Sequence, residues 1–180
     1  MKSLKKNLQN KIEKDEELYF FDESRFGTHS KIGNGWFKTG TRTAVKFKLG
    51  YKNFYLYSAA NSRTGDEFTL LLPNVNITCM NIFLKEFAKI NKGKKIVMVM
   101  DGAAWHKSPK LEIPKNIRII IQPSYSPELN PIERLWQYIK NHTIKNKIYK
   151  TISELERQIC KFIRTLTSET IQKVCNVSYV

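Results

Sequence analysis

Hydrophobic and polar positions divide the first part of the chain into short runs that are typical of β-strands. Residues 17–23 (ELYFFDE) form an apolar and aromatic run that ends in acids. Strand-like segments follow at 41–50 (TRTAVKFKLG), 53–62 (NFYLYSAANS) and 66–73 (DEFTLLLP), separated by Gly, Asn and Ser turns. This pattern predicts an antiparallel meander.

The hydrophobic period changes from two to that of a helix at residues 76–93 (NITCMNIFLKEFAKINKG). Gly93 is suited to end this helix, because glycine adopts the left-handed backbone of a C-terminal cap without steric cost. The predicted helix covers the sheet with an apolar face formed by Met80, Phe83, Leu84, Phe87 and Ile90.

Two continuous apolar runs, 94–102 (KKIVMVMDG) and 117–123 (IRIIIQP), are typical of strands that are covered on both faces. Two helices are predicted after them, at 130–143 and at 151–166, and a Ser153 to Glu156 capping box opens the second. Their predicted core positions are Ile132, Leu135, Trp136, Ile139, Leu155, Ile159, Phe162, Ile163 and Leu166.

Together these elements predict an α/β fold with a five-stranded mixed sheet flanked by helices. Residues 1–17 carry Leu4, Leu8 and Ile12 at a spacing of four among charged residues, which predicts a linker or helical lead-in. Residues 18–180 then form one domain.

Charge changes this picture by indicating a polyanionic partner. The 180 residues include 31 Lys and Arg against 16 Asp and Glu, a net charge of +15. Surplus cations bind phosphates, so nucleic acid is the first candidate and an anionic membrane surface the second. A solvated basic surface from a Lys-rich composition is the alternative interpretation.

The cysteines and the N-terminal segment indicate a reducing compartment. Cys79, Cys160 and Cys175 are far apart and form no C-x-x-C pair, so neither a disulfide framework nor a thiolate zinc site is expected. The first residues lack the apolar core of a signal peptide, and no eighteen apolar residues run together. We therefore expect a cytoplasmic protein that does not span a membrane.

Two predicted strands lead directly into aspartates, Asp22 and Asp101. Sites in open α/β sheets gather at the carboxyl ends of central strands, although each aspartate alone is also a common turn residue. Glu133 follows Asn130 and Pro131, so it is interpreted either as the N3 residue of a capping box or as a third site acid.

Three carboxylates in a basic chain favour a divalent cation, because clustered carboxylates repel one another without one. Mg²⁺ prefers hard oxygen ligands and commonly binds one or two carboxylates together with phosphate and water. Such ions promote in-line phosphoryl displacement, while surrounding Lys and Arg hold the DNA backbone.

Three sequence blocks resemble the DDE transposases of the mariner superfamily, in particular its bacterial insertion-sequence branch. They are FFDESRFGTHS with GWFKTGTR, VMVMDGAAWHKS, and IIIQPSYSPELNPIERLWQYIK. The resemblance implies a ribonuclease-H-like fold and a catalytic, metal-binding triad of Asp22, Asp101 and Glu133. It also implies Mg²⁺-dependent cleavage at transposon ends, with Mn²⁺ able to substitute, and strand transfer into target DNA.

The same resemblance implies partners. Family members carry helix-turn-helix DNA-binding units before the first aspartate, so such a part is expected upstream of these residues. Transposon-end DNA, target DNA and a second copy assembled on DNA are the implied partners, and the bacterial nucleoid is the implied location.

Further side chains are candidates for DNA contact. An aromatic and basic hairpin supplies some, the region after Asp101 supplies others, and the helix that carries Glu133 supplies the rest: Trp36, Lys38, Arg42, His106, Lys107, Arg134 and Lys140. Structural roles are the alternative for Trp36 and His106. Glu23 is excluded as a ligand, because alternation along a strand points it away from Asp22.

Two other functions remain open from the sequence. One is a catalytically impaired transposase remnant that only binds DNA. The other is a stand-alone nuclease of the same fold, which the SPELNPIE block disfavours.

Overall fold

A computed structural model describes residues 12–32, 38–40, 48–103, 108–122 and 130–177. The strands are β1 (Glu16–Gly27), β2 (Asn53–Ala60), β3 (Glu67–Leu72), β4 (Lys95–Met100) and β5 (Ile117–Ile121). The helices in these ranges are α1 (Ile77–Ile90), α2 (Ile132–Thr143), α3 (Ile152–Ile163) and α4 (Ser168–Val174).

The five strands form one mixed sheet in the order β3-β2-β1-β4-β5. β1 pairs antiparallel with β2 and parallel with β4, β3 pairs antiparallel with β2, and β5 pairs parallel with β4. The predicted α/β fold with a five-stranded mixed sheet is confirmed.

Both faces of the sheet are covered by helices, so the central strands are buried. α1 covers one face and buries Met80, Phe83, Leu84 and Phe87 against it. α2, α3 and α4 cover the other face, where Leu135, Trp136, Ile139, Leu155, Ile159 and Ile171 pack on side chains of β1, β2 and β4. Successive residues of β1 and β4 therefore enter two different cores.

Some predicted strand features were wrong. β1 continues five residues beyond Asp22, because β2 extends the antiparallel ladder to the pair Gly27 and Asn53. β5 lies at the edge of the sheet, and most of its side chains are only half-buried. Of the strand-like segment 41–50, only residues 48–50 are among the described residues, and they are not in a strand.

The helices differ from the prediction in several details. Ile90, the last residue of α1, is 66% exposed, so its predicted core position was wrong. The capping residue of α3 is Thr151, whose Oγ1 accepts from the backbone N–H of Glu154, so the predicted Ser153 box was wrong. An additional helix, α4, follows Thr167, whose hydroxyl caps it by accepting from the N–H of Thr170.

β1 begins at Glu16, two residues before the predicted domain start, and Ile12 packs against the core under α2. The predicted positions of Leu4 and Leu8 lie outside the described residues. In the described ranges, the helices are too short or too polar to cross a membrane.

We expect Phe83→Ala to lower the free energy of unfolding by about 3 to 5 kcal/mol. Phe83 is fully buried, and its ring lies 4.8 Å from that of Phe21 and 5.4 Å from that of Phe68, measured between centroids. Urea denaturation measures the change. The control is Ile82→Ala on the exposed side of α1, where Ile82 is 44% exposed. Equal losses in the two variants would contradict the assignment of this core.

Candidate active site

The parallel register of β1 and β4 places the two predicted aspartates on neighbouring strands, just beyond the last residue pair of that ladder. Phe20 aligns with Val99. Asp22 lies two residues after Phe20, and Asp101 lies two residues after Val99. Phe20 and Val99 both enter the core under α2. Alternation along the two strands therefore predicts the α2 face of the sheet for both carboxylates.

Asp22 is held by a side chain of α2. Its Oδ2 accepts a hydrogen bond of 2.8 Å from the indole N–H of Trp136, which is buried. A buried indole requires an acceptor for its single N–H, and the Asp22 carboxylate supplies it. This bond fixes the orientation of one carboxylate oxygen and joins β1 to α2.

The environment of Asp22 disfavours its charged form. Burial is the main cause and raises the pKa of this carboxyl from its ordinary value of 3.8 to about 7, while the Trp136 hydrogen bond opposes the change. The negative charges of Glu133 and Glu23 raise the pKa further. Asp22 and Glu133 are thus close enough to repel each other.

Asn130 positions the first turn of α2, which carries Glu133. Its Oδ1 accepts from the N–H of Ile132 at 3.2 Å, and its Nδ2 donates to the carbonyl oxygen of Phe21 at 2.9 Å. Phe21 directly precedes Asp22, so the buried Asn130 amide ties the helix start to the strand beside the acid. The predicted capping box between Asn130 and Glu133 was therefore wrong. Pro131 is the N-cap residue of α2, and the side chain of Glu133 is exposed.

Asp101 is exposed directly after β4. Its Oδ1 accepts a hydrogen bond of 3.1 Å from the N–H of Ala103, as in an aspartate turn. Within the described ranges, no group of three His, Cys, Asp or Glu side chains is arranged to hold a metal ion. Asp22 and Glu133 therefore lie close enough for their charges to interact. Asp101 directly follows β4, the strand that pairs with β1.

The chemistry of these donors nevertheless fits a magnesium ion. All three candidates are carboxylates, which are hard oxygen ligands. A cation beside Asp22 and Glu133 would relieve their repulsion and stabilise the ionised form that burial disfavours.

The residues predicted to contact DNA have different surroundings. The ammonium of Lys140 on α2 donates to Ser24 Oγ at 2.7 Å. Arg134 donates to the backbone carbonyl of Asn176, so it contributes to holding the C-terminal segment. Lys38 is exposed in a short described stretch. The predictions for Trp36, Arg42, His106 and Lys107 lie outside the described residues.

Glu23 aligns with Tyr57, whose ring lies in the core under α1. It therefore belongs to the face opposite Asp22.

Sequence reasoning did not identify Trp136, Asn130 and Ser24 as residues of the site. Trp136 is predicted as a core residue, a role that it has in addition to its contact with Asp22. Asn130 is predicted as the N-cap of the helix, but Pro131 occupies that position, and the Asn130 amide instead links Ile132 to Phe21. The available signal was chemical: a predicted core tryptophan needs an acceptor for its N–H, and Asp22 was the acid expected on that face.

Residues 17–156 match the family model described as DDE superfamily endonuclease. Two relatives come from bacteria. The uncharacterized protein y4pE/y4sA of Sinorhizobium fredii is 34% identical over 107 residues, which cover 59% of this chain and 79% of that protein. The uncharacterized 39 kDa protein of insertion element IS630 from Shigella sonnei is 28% identical over 157 residues, which cover 83% of this chain and 45% of that protein.

Solved structures of the Mos1 mariner transposase share the fold. The Mos1 strand transfer complex matches with a TM-score of 0.72 at 13% identity, covering 97% of this chain and 54% of that chain. The Mos1 catalytic domain matches with a TM-score of 0.65 at 12% identity, covering 97% of this chain and 82% of that chain. These matches confirm the ribonuclease-H-like fold. This chain spans about half the length of the IS630 relative and of the longer Mos1 chain.

In the absence of divalent cations, Asp22→Asn should stabilise the protein at pH 8. The raised pKa means that the folded state binds a proton more tightly than the unfolded state, so wild-type stability falls as the pH rises from about 4 to about 7. The full penalty is on the order of 4 kcal/mol. Asparagine retains an oxygen for the Trp136 N–H but has no charge to bury.

Urea denaturation in a chelator at several pH values between 4 and 8 tests this expectation. The stability difference between Asp22→Asn and wild type should grow with pH and level off above pH 7. A difference that is independent of pH would contradict the proposed burial of a charged Asp22.

We expect Asn130→Ala to lower the free energy of unfolding by about 1 to 3 kcal/mol, because it removes two hydrogen bonds of a buried amide. The matched control is Asn76→Ala at the start of α1, which removes only a cap hydrogen bond to the N–H of Cys79 and should cost about 1 kcal/mol. Thermal or urea unfolding compares the two variants. A smaller loss for Asn130→Ala than for the control would refute its role in joining α2 to β1.

Proposed function

Since the chain belongs to the DDE superfamily endonuclease family, in its mariner and IS630 transposase group, we propose that it catalyses transposition. In this proposal it cleaves DNA at transposon ends and joins the freed 3'-hydroxyl to target DNA. The observation that supports the proposal is the parallel register of β1 and β4, from which we infer that Asp22 and Asp101 lie side by side where the pairing of the two strands ends. Glu133 lies close enough to raise the pKa of Asp22.

Asp22, Asp101 and Glu133 are the proposed catalytic residues and the proposed ligands of Mg²⁺, for which Mn²⁺ would substitute. These residues would hold the metal, which would supply activation of a water or a DNA 3'-hydroxyl and stabilisation of charge on the leaving oxygen. The electrostatic coupling of Asp22 and Glu133 supports this assignment, since two repelling carboxylates gain most from a shared cation.

The protein's own residues orient the acids. Trp136 holds one oxygen of Asp22 by its indole N–H, which directs the remaining lone pairs of the carboxylate. Asn130 holds the start of α2 against the backbone of Phe21, which sets where Glu133 leaves the helix. Both contacts fix geometry before DNA binds, and such preorganisation is how a site of this kind gains rate.

DNA is the proposed substrate. A net charge of +15 supports it, because a basic chain gains affinity by displacing counterions from phosphates. We further propose that an upstream helix-turn-helix part recognises the transposon ends, that two copies assemble on DNA, and that the protein acts at the bacterial nucleoid. The partial coverage of the IS630 relative is compatible with an additional DNA-recognition part.

We expect Asp101→Asn and Glu133→Gln each to reduce metal-dependent cleavage by about 100-fold or more, because removal of a metal ligand removes transition-state stabilisation worth several kcal/mol. The assay is nicking of a labelled duplex that carries the terminal inverted repeat of the element, with Mg²⁺ or Mn²⁺. Glu112→Gln, an exposed acid between β4 and β5, is the control and should cleave normally. Normal cleavage by Asp101→Asn would exclude its role.

The same assay separates the alternative functions. Salt-sensitive duplex binding without nicking of any end sequence would favour a binding-only remnant. Cleavage of RNA–DNA hybrids without joining would favour a stand-alone nuclease.

A further inference from the structure

A basic cavity is lined by Lys140, whose ammonium is close enough to Glu133 and Asp22 to interact with their charges. Its volume is about 520 Å³, and it is lined by the end of β1, the segment that leads into β2, and the C-terminal end of α2. This volume falls within the range of small-ligand pockets. The described residues that line it include Arg25, Lys31, Lys52 and Lys140, and none of these described lining residues is Asp or Glu.

The four cations are not neutralised by ion pairs within the described part of the chain. Arg25 donates to the uncharged amide oxygen of Asn53 at 3.1 Å. The carboxylates that do form ion pairs in these ranges pair with other cations, such as Lys89, Lys95 and Arg118. Like charges placed around one cavity repel each other, so an anion bound in the cavity would reduce the electrostatic repulsion among the four cations.

Lys140 lines this cavity and also interacts with the charges of Glu133 and Asp22. Its ammonium donates to the hydroxyl of Ser24 and lies 5.1 Å from the ring centroid of Phe26, so both direct partners are uncharged. Burial lowers the pKa of Lys140, the charge of Lys31 lowers it further, and the charges of Glu133 and Asp22 oppose the change. An anion in the cavity would compensate the desolvated ammonium.

The position of Lys140 relates the cavity to the proposed reaction. Lys140 follows Glu133 by seven residues, about two helical turns, so both lie on one side of α2. Ser24 follows Asp22 by two residues on the same face of β1. The surface therefore changes from acidic to basic along α2 and along β1. This arrangement suits a DNA strand in which one phosphate lies at the metal ligands and the next phosphate contacts the cations.

An aromatic ring at the rim indicates a nucleotide rather than a small anion. Tyr51 lines the cavity and is 84% exposed, which leaves its ring available for stacking. Cations that hold phosphates beside aromatic rings that stack on bases are typical of single-strand binding surfaces.

We propose that this cavity is a subsite for the DNA strand that flanks the reacting phosphodiester, with Lys140, Lys31, Lys52 and Arg25 around a backbone phosphate and Tyr51 beside its base. The subsite rests on the proposed function for its place in the reaction. Its affinity for a single strand comes from charge and stacking and does not require a metal ion.

The test is fluorescence anisotropy of a labelled single-stranded oligonucleotide of about 12 nucleotides, in a chelator and at several salt concentrations. The subsite variant is Lys31→Gln with Lys52→Gln. The control, Lys92→Gln with Lys115→Gln, has the same change in charge. Both positions are exposed and lie just before the N-terminal ends of β4 and β5, whereas Asp101 follows the C-terminal end of β4. Thermal unfolding confirms that each variant is folded.

We expect the subsite variant to bind about 10-fold more weakly and to lower the salt dependence by the equivalent of one to two phosphate contacts, each worth about 0.7 in the logarithmic slope. Tyr51→Ala should weaken binding about 5-fold or more without changing the slope, because stacking is worth roughly 1 to 3 kcal/mol per base. The control should change affinity less than about 2-fold.

Equal losses in the subsite and control variants would overturn the proposal, as would absence of binding by the wild type. Displacement of the oligonucleotide by millimolar inorganic phosphate at constant ionic strength would assign the cavity to a free anion and also overturn it. Oligonucleotide binding is measured without metal, so it is independent of cleavage. If the subsite variant binds more weakly than the control but the wild type does not cleave DNA, the proposed function alone is refuted. If the wild type cleaves DNA but the subsite and control variants lose oligonucleotide affinity equally, the subsite alone is refuted.

Discussion

The parallel pairing of β1 with β4 is the constraint on which the site depends. The two strands bury their side chains on both faces of the sheet, so their register is fixed by two cores at once. A shift of one residue would turn Asp22 towards α1 and away from Trp136 and Glu133. Core packing therefore determines the position of the candidate site, although neither Asp22 nor Asp101 belongs to the core.

Holding acids at this edge has an energetic cost that hydrogen bonds offset only in part. Burial and the charge of Glu133 raise the pKa of Asp22, and one indole N–H opposes them. Asn130 prevents the helix start from relaxing away from β1. At the cavity that Lys140 lines the charge is reversed, since the charged side chains among its described lining residues are cations. Acidic and basic regions thus lie side by side, and a metal and a phosphate backbone would complement both.

Periodicity was sufficient to predict the sheet and the helices that cover it. The buried faces of α1 and α2 follow from apolar residues at helical spacing, and they were correct except for Ile90. The continuation of β1 beyond Asp22 was missed because it depends on a partner strand 26 or more residues away. The contacts from Asn130, Trp136 and Lys140 to β1 join residues 109 to 116 positions apart, and no local pattern encodes them.

The most direct test of the central claim is anomalous diffraction from a crystal soaked in Mn²⁺. The account predicts an anomalous peak at the edge shared by β1 and β4, with carboxylate oxygens of Asp22, Asp101 and Glu133 about 2.1 Å from the ions. Ordered carboxylates that point apart, with no peak between them, would contradict the claim that these three residues form one metal site.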